Sequence, residues 1–254
     1  MLRAYIKKYG IKCQDLDSFN LALAQISVKN HANATKNKYA QYQRKITVEQ
    51  VLNERKKAHK PLGLFDFAPI SDGASALILT SEEKAKKLTD KPVYILGCAS
   101  ATDFLNYPSR EDLSHFVSAQ LAMKKAQQKA NVDVGEIQVV ELYDQSTMMQ
   151  MVSLEDLGFC KPGSAWRTIN ESCQNNQEIK VNGKEVYVNT NGGLKADGNP
   201  LGATGGAEIY EIYRQLRGEA GERQGAGSPK FGCALEFEGF GTKAYVSILG
   251  RETP

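Results

Sequence analysis

The chain has 254 residues, with 41% hydrophobic and 24% charged side chains and a formal charge of +3. That is the composition of a globular protein of one large domain or two small ones, and the net charge argues neither for nor against nucleic acid. Five scattered cysteines without a CxxC pair, and only three histidines, argue against a zinc site and for free thiols in a reducing compartment. No apolar run approaches membrane-spanning length, and no signal peptide follows Met1, so the expected setting is cytoplasmic. Charge is uneven. Thirteen Lys/Arg and four Asp/Glu lie between Met1 and Lys60, a local excess of +9 that leaves −6 for the rest. A basic first segment on an acidic body suits a local anionic partner, or else a solvated helical surface.

Residues 1–58 read as helical and polar, with no strand and too little apolar surface for a core of their own. Thr47 and Gln50 have capping-box spacing, and Pro61 closes the segment, which reads as a lid or arm. Residues 74–79 are a short apolar run expected to be a buried strand, entered through the Asp72–Gly73 turn. Ser81 then caps a short helix over 82–88. A regular series follows: strand 92–99, helix 114–130, strand 137–142, helix 146–157 and strand 186–188. Ile209, Ile212, Tyr213 and Leu216 mark a helix ending at Gly218. Strands 231–235 and 244–249 close the chain as antiparallel neighbours. The order β-α-β-α-β-α-β-β predicts an α/β fold, a mixed sheet with helices on its faces.

Residues 188–205, VNTNGGLKADGNPLGATG, resemble the glycine loop of thiolases. QLRGEAGERQ at 215–224 is similar to the sterol-carrier-protein and archaeal branch of that family, as are 71–76 and 154–160. Lys29, Asn30 and His31, followed by 39–42, fit the same branch. The resemblance covers nearly the whole chain. It implies a helical, basic loop-domain segment over 1–66, the closing strand and helix of an N-terminal thiolase half over 67–90, and a complete C-terminal half over 91–254. By the same resemblance the chain begins inside the loop domain, and the part bearing the nucleophilic cysteine belongs elsewhere.

The resemblance also assigns roles. A thiolase uses a cysteine thiolate, a histidine that activates it, an oxyanion hole and a second acid/base group. The activating histidine is the centre of a Gly-His-Pro motif, and here Asn199 occupies that place. An amide cannot take a proton near neutrality but can donate to a thioester oxygen; alternatively, Asn199 satisfies its own turn. Where the branch has His-Asp-Cys-Phe, this chain has Tyr143 and Asp144. That pair is similar to the one in thiolase-like aldolases, and otherwise reads as a buried tyrosine beside a helix-capping aspartate. Phe237 stands where an acid/base histidine is expected. Glu236 or Glu238 would serve if desolvated, but both read as surface carboxylates. Cys233, in an apolar strand, is a weak nucleophile candidate. The expected catalytic set is thus Asn199, Tyr143 and Asp144. Gly192, Gly193, Gly198, Gly202, Phe237 and Gly239 would line the substrate site, and Lys36, Lys38, Ala68 and Ile70 would contact coenzyme A. No metal and no covalently bound cofactor is expected; a coenzyme A thioester is the implied substrate. His31, His59 and His115 read as ordinary surface or core residues.

Two function classes follow. One is an acyltransferase subunit of lipid metabolism, completed by a thiolase N-terminal-half chain or another thiolase-like subunit in a hetero-oligomer built on thiolase-type dimers. Within that class, Claisen chemistry on thioesters and aldolase cleavage of a β-hydroxyacyl-CoA both stay open. The other class is a non-catalytic scaffold or coenzyme A ester-binding subunit. Neither involves nucleic acid or membrane.

Overall fold

A computed structural model describes residues 1–58, 61–175, 178–225, 227 and 229–252; His59 lies outside them. Three helices open the chain: α1 (Leu2–Lys8), α2 (Leu16–Ala34) and α3 (Val48–Ala58). The capping box forms as expected, with Gln50 N–H donating to Thr47 Oγ1 at 3.2 Å and Thr47 N–H to Gln50 Oε1 at 2.9 Å. α2 is too enclosed for an arm. It buries Phe19, Leu23 and Ile26 with Tyr5 of α1, in one core with residues of the sheet. The Arg55 side chain is buried against Asp66, which also accepts from Thr147 Oγ1 at 2.7 Å, so the opening segment is clamped to the body.

Residues 74–79 do not form the expected buried strand. They have no ladder partner, and Ile78 is 96% exposed. A strand needs a neighbour for its backbone groups and a surface for its apolar face, and this stretch finds neither. It runs instead past the start of a later helix, with Ser75 Oγ donating to Ala203 O at 2.8 Å. Ser81 does cap α4 (Glu82–Leu88).

Beyond this the predicted series appears: β1 (Tyr94–Thr102), α5 (Val117–Ala130), β2 (Ile137–Leu142), α6 (Thr147–Asp156), α7 (Ala165–Gln174), β3 (Ile179–Val181), β4 (Lys184–Val188), α8 (Gly193–Ala196), α9 (Thr204–Arg217), β5 (Phe231–Glu238) and β6 (Lys243–Gly250). Helix α7 and β3 are additions to the sequence reading, and β3 pairs with β4, which contains the predicted strand 186–188. The hairpin turns on Asn182 and Gly183, both at positive φ, the two-residue Asn-Gly turn whose twist matches its strands.

The six strands form one sheet in the order β1-β6-β5-β2-β4-β3. β2 runs parallel to β4 and β5, while β5–β6, β1–β6 and β3–β4 are antiparallel. Helix α5 covers β1 and β6, and α9 packs on β5, β2 and β6. Ile212 and Leu216 of α9 form a second apolar cluster with Val139, Ala234 and Leu249. Parallel β2, β4 and β5 send their chain ends to the same edge, so the loop after β2, the loop from β4 into α9 and the end of β5 meet there.

Candidate active site at the strand ends

The β4–α9 connection is pinned from below by side chains. Asn189, in left-handed backbone, accepts from Leu142 N–H at 2.7 Å and donates to Leu142 O at 3.2 Å, extending the sheet past the end of β4. Thr190 donates to Glu141 Oε1 through N–H and hydroxyl at 2.8 and 2.9 Å. Asp144 is buried beneath the loop, accepting from Leu194 N–H and from Asn30 Nδ2, each at 2.6 Å. This explains Gly193. It has φ +60°, and a Cβ there would come within 2.6 Å of both Asp144 oxygens. Burial pushes the Asp144 carboxyl up to about 8, against the opposing effects of Leu194 N–H and the Lys195 charge. Asp144 therefore shapes the loop, with its oxygens directed at protein donors.

Asn199 and Tyr143 are brought together. Asn199 is 6% exposed. Its backbone N–H donates to Ser71 Oγ at 3.0 Å, and its Oδ1 accepts from Leu201 N–H at 3.3 Å and Thr204 Oγ1 at 3.2 Å. Its side chain also hydrogen-bonds the Tyr143 hydroxyl, so it both satisfies its turn and reaches the candidate acid/base group. Burial raises Tyr143, the Asn199 hydrogen bond lowers it, and the Glu236 and Glu208 charges raise it. Phe237 lies beside it, ring centroids 6.0 Å apart, and packs at a tilt against Phe116 with centroids 4.6 Å apart. Phe237 thus gives this edge an apolar wall.

The other expected residues are more dispersed. A cleft of about 830 Å³ opens between residues 70–76 and the start of α9, and Ile70, Gly193 and Gly198 line it with Tyr39 and Glu208. Asn199 and Tyr143 lie just behind that lining. Ile70 is 97% exposed and bridges to Asn199 through backbone. A Cβ at Gly198 would sit 2.7 Å from Ser71 Oγ. Gly192 rests on Ala34, Gly202 faces open space, and Gly239 turns the β5–β6 hairpin. Lys36 and Lys38 are exposed at the end of α2, and Ala68 N–H donates to Gln145 O at 2.9 Å; none of these three lines the cleft.

Several residues were missed by the sequence reading. Glu208, 2% exposed, has no hydrogen-bond partner at either oxygen, and Glu236 Oε2 is likewise shut from solvent without one. Glu236 is thus no surface carboxylate: its backbone is in β5, its side chain lies against α9, and burial pushes it up to about 8. Glu238 is exposed, as expected. Glu211 pairs with Arg223 at 2.8 Å, and Gln215 Nε2 donates to Arg223 O at 2.8 Å. The QLRGEAGERQ stretch therefore folds back over the helix that it ends. Lys195 is fully enclosed, with Nζ 3.4 Å from His31 Nε2, and burial with the Lys195 charge lowers His31 to about 4. His31 is a core residue and His115 is held by Asp156 and Tyr9. Cys233 is buried and its thiol is pushed up to about 12. Among the described residues no group of three or more His, Cys, Asp or Glu is placed to hold a metal ion, and no helix is long and apolar enough to cross a membrane.

Comparison with known proteins agrees with the loop motifs. The chain is 38% identical over 251 residues to an acetyl-CoA acetyltransferase of Methanothermobacter thermautotrophicus, covering 99% of this chain and 62% of that protein. It is 33% identical over 264 residues to sterol carrier protein 2 of Oryctolagus cuniculus, covering 99% of this chain and 44% of that one. It therefore spans less than two thirds of either relative. Among solved structures, the Ltp2-ChsH2(DUF35) aldolase shares the fold with a TM-score of 0.79 at 24% identity, over 98% of this chain and 61% of that one. The model of the thiolase C-terminal domain-like family matches residues 99–251. That span takes in the sheet from the middle of β1 to β6 and the whole glycine loop, and on it the chain belongs to the thiolase C-terminal domain-like family.

Proposed function

We propose that this chain supplies the C-terminal half of a thiolase-type site that makes or breaks a carbon–carbon bond in a coenzyme A thioester, with the nucleophilic cysteine delivered by a thiolase N-terminal half on a partner chain. The observation that carries this reading is the cleft itself. One wall is the glycine loop with the start of α9, and the other is residues 70–76, which continue into the exposed apolar side chains of Leu77, Ile78 and Leu79. An apolar run with unpaired backbone beside a family-specific loop is a surface that calls for a covering sheet. None of the described cysteines lines the cleft, and Cys160 and Cys233 are buried with raised thiols. A nucleophile from the covering half would complete the site. In the assembled site Asn199 and Tyr143 stand behind the thioester as hydrogen-bond donors to its developing oxyanion. Lys36 and Lys38 offer positive charge to coenzyme A phosphates from the rim.

The Asn199–Tyr143 contact favours a second reading, the aldolase. Retro-aldol cleavage of a β-hydroxyacyl-CoA needs a base for the β-hydroxyl and no nucleophilic thiolate. Tyrosine and asparagine in place of two histidines suit that step better than thiolysis. The test is reconstitution with a cysteine-bearing partner, assayed on a β-ketoacyl-CoA and on a β-hydroxyacyl-CoA. Loss of turnover on Cys→Ala in the partner supports the thiolase reading. Cleavage of the β-hydroxy substrate that survives this change supports the aldolase. No turnover of either substrate leaves the binding scaffold.

A further inference from the structure

The strands set the order in which loops follow one another along the carboxyl edge of the sheet. β1 and β5 both run antiparallel to β6, and β5 runs parallel to β2. The loop after β1 (residues 103–116) therefore leaves from the same edge as the ends of β5 and β2. In the sheet order β1-β6-β5-β2-β4-β3, the β1 loop stands at one end of this edge and the β5–β6 hairpin comes next. Tyr143, just after β2, follows, and the glycine loop with its cleft lies beyond. Tyr143 thus has Asn199 on its cleft flank and Phe237 on the other.

From Phe237 the aromatic contacts continue away from the cleft. Phe116 packs on Phe237, Phe240 meets Phe116 edge-on at 5.6 Å, and Tyr107 meets Phe240 edge-on at 5.2 Å. Phe237 and Phe116 are buried, but Phe240 at the hairpin tip is 41% exposed. In the β1 loop, Phe104 is 63% and Leu105 82% exposed. A buried charge fastens the two loops together. Arg110 donates from Nε to Phe104 O at 2.9 Å, from Nη1 to Phe240 O at 2.8 Å and from Nη2 to Thr242 Oγ1 at 3.2 Å. Asp103 N–H adds a bond to Thr242 O at 2.8 Å. Gly241 lets the hairpin close on the core, since a Cβ there would run into the Phe116 ring. Turning the exposed apolar side chains inward would break the hydrogen bonds of a buried guanidinium, a costly change.

We propose that Phe104, Leu105 and Phe240 form the subsite for the acyl chain of the thioester, and that the substrate carries an extended apolar acyl group rather than acetyl. The proposal rests on the reading of this edge as an acyl-CoA site. Asn199 and Tyr143 then mark where the thioester carbonyl sits. The coenzyme A arm leaves on the cleft side, and the acyl arm lies along the rings toward the hairpin tip. The three exposed side chains present roughly 300–400 Å² of apolar surface at their observed exposures. That is below the about 800 Å² that each side of a stable protein interface covers, and it suits a hydrocarbon chain. The Arg110 charge is buried under the rim, so the surface it supports favours an uncharged group over a diphosphate. Holding the side chains in place beforehand lowers the ordering cost of binding.

The experiment is titration calorimetry of the native complex, isolated through this chain, with acetyl-CoA and with decanoyl-CoA. The wild-type complex should bind decanoyl-CoA at least about 10-fold more tightly, the effect of covering one large apolar side chain. The ratio of the two affinities should fall about 10-fold in F240S and by a smaller factor in L105S, while F240L keeps most of it. Phe240 also packs on Phe116, so a loss in F240S alone would reflect a disturbed hairpin. Leu105 is largely free of the fold, and its variant separates the two cases. An equal affinity for both thioesters in the wild type, or a ratio that does not fall in L105S, overturns the subsite and leaves the acyl-CoA reading standing. Loss of the partner chain from the F240S or L105S complex on gel filtration also overturns it, by assigning the patch to the subunit interface. A wild-type complex that binds neither thioester refutes the acyl-CoA reading and the subsite together.

Discussion

Asn199 carries two sets of contacts, and they make different demands. Its Oδ1 holds the turn through Leu201 and Thr204, while its side chain also reaches Tyr143. Asn199→Ala should slow the reconstituted complex by about 10²–10³ with thioester binding nearly intact, the usual cost of one oxyanion donor. If only the turn matters, the variant loses roughly 1 kcal/mol of stability and keeps its rate per folded molecule. Asn199→His should not restore thiolysis, because Phe237 still stands at the other acid/base place. Gly193→Ala is a different case. A methyl group there meets Asp144 at 2.6 Å in left-handed backbone, so chemical denaturation should show a loss of about 2 kcal/mol or more. At this scale the sequence was informative wherever motif and chemistry coincided: Asn199, Tyr143 and Phe237 do meet. Glu208 was not legible, and Glu236, a candidate only if desolvated, read as a surface carboxylate. A pattern reading assigns a polar residue to solvent, whereas α9 is covered on its polar side by the loop and by β5. That covering depends on long-range packing.

The elements show the same division. Periodicity predicted β2 at its observed bounds and α9 up to its Gly218 cap, since an amphipathic helix and alternating strands carry their burial in the pattern. Strand 186–188 falls within β4, and the Asn182–Gly183 pair is the local signal for its hairpin with β3. Residues 74–79 differ in kind. Their composition is that of a buried strand, yet their surroundings in this chain are solvent. Leu79 is 73% exposed and Ile78 more so. Substitution of exposed side chains away from special features changes stability by about 0.5 kcal/mol or less. Ile78→Asp should accordingly leave the thermal midpoint of the isolated chain unchanged while abolishing co-elution with a thiolase N-terminal half. Co-elution at wild-type levels would show that this segment is not the docking surface.

For the molecule as a whole, the opening helices share the core of the sheet domain, so their positive charge is displayed on a folded surface. Charge reversal at Lys36 and Lys38 should weaken coenzyme A binding to the assembled unit most at low salt, because exposed charges are screened beyond roughly 10 Å at 0.1 M. Titration calorimetry at two ionic strengths reads this directly, and equal affinities for wild type and variant would remove the phosphate role. The exposed apolar wall of the cleft has a further consequence: the chain alone should self-associate, and sedimentation as a single well-behaved monomer would count against a missing cover. The most direct measurement is isolation of the native complex through this chain, with identification of its components and assay of thioester turnover. The proposal predicts a stoichiometric partner that carries a thiolase N-terminal half with its cysteine, and turnover only when both are present. A monomer recovered without such a partner, or one that turns over coenzyme A thioesters alone, would contradict it.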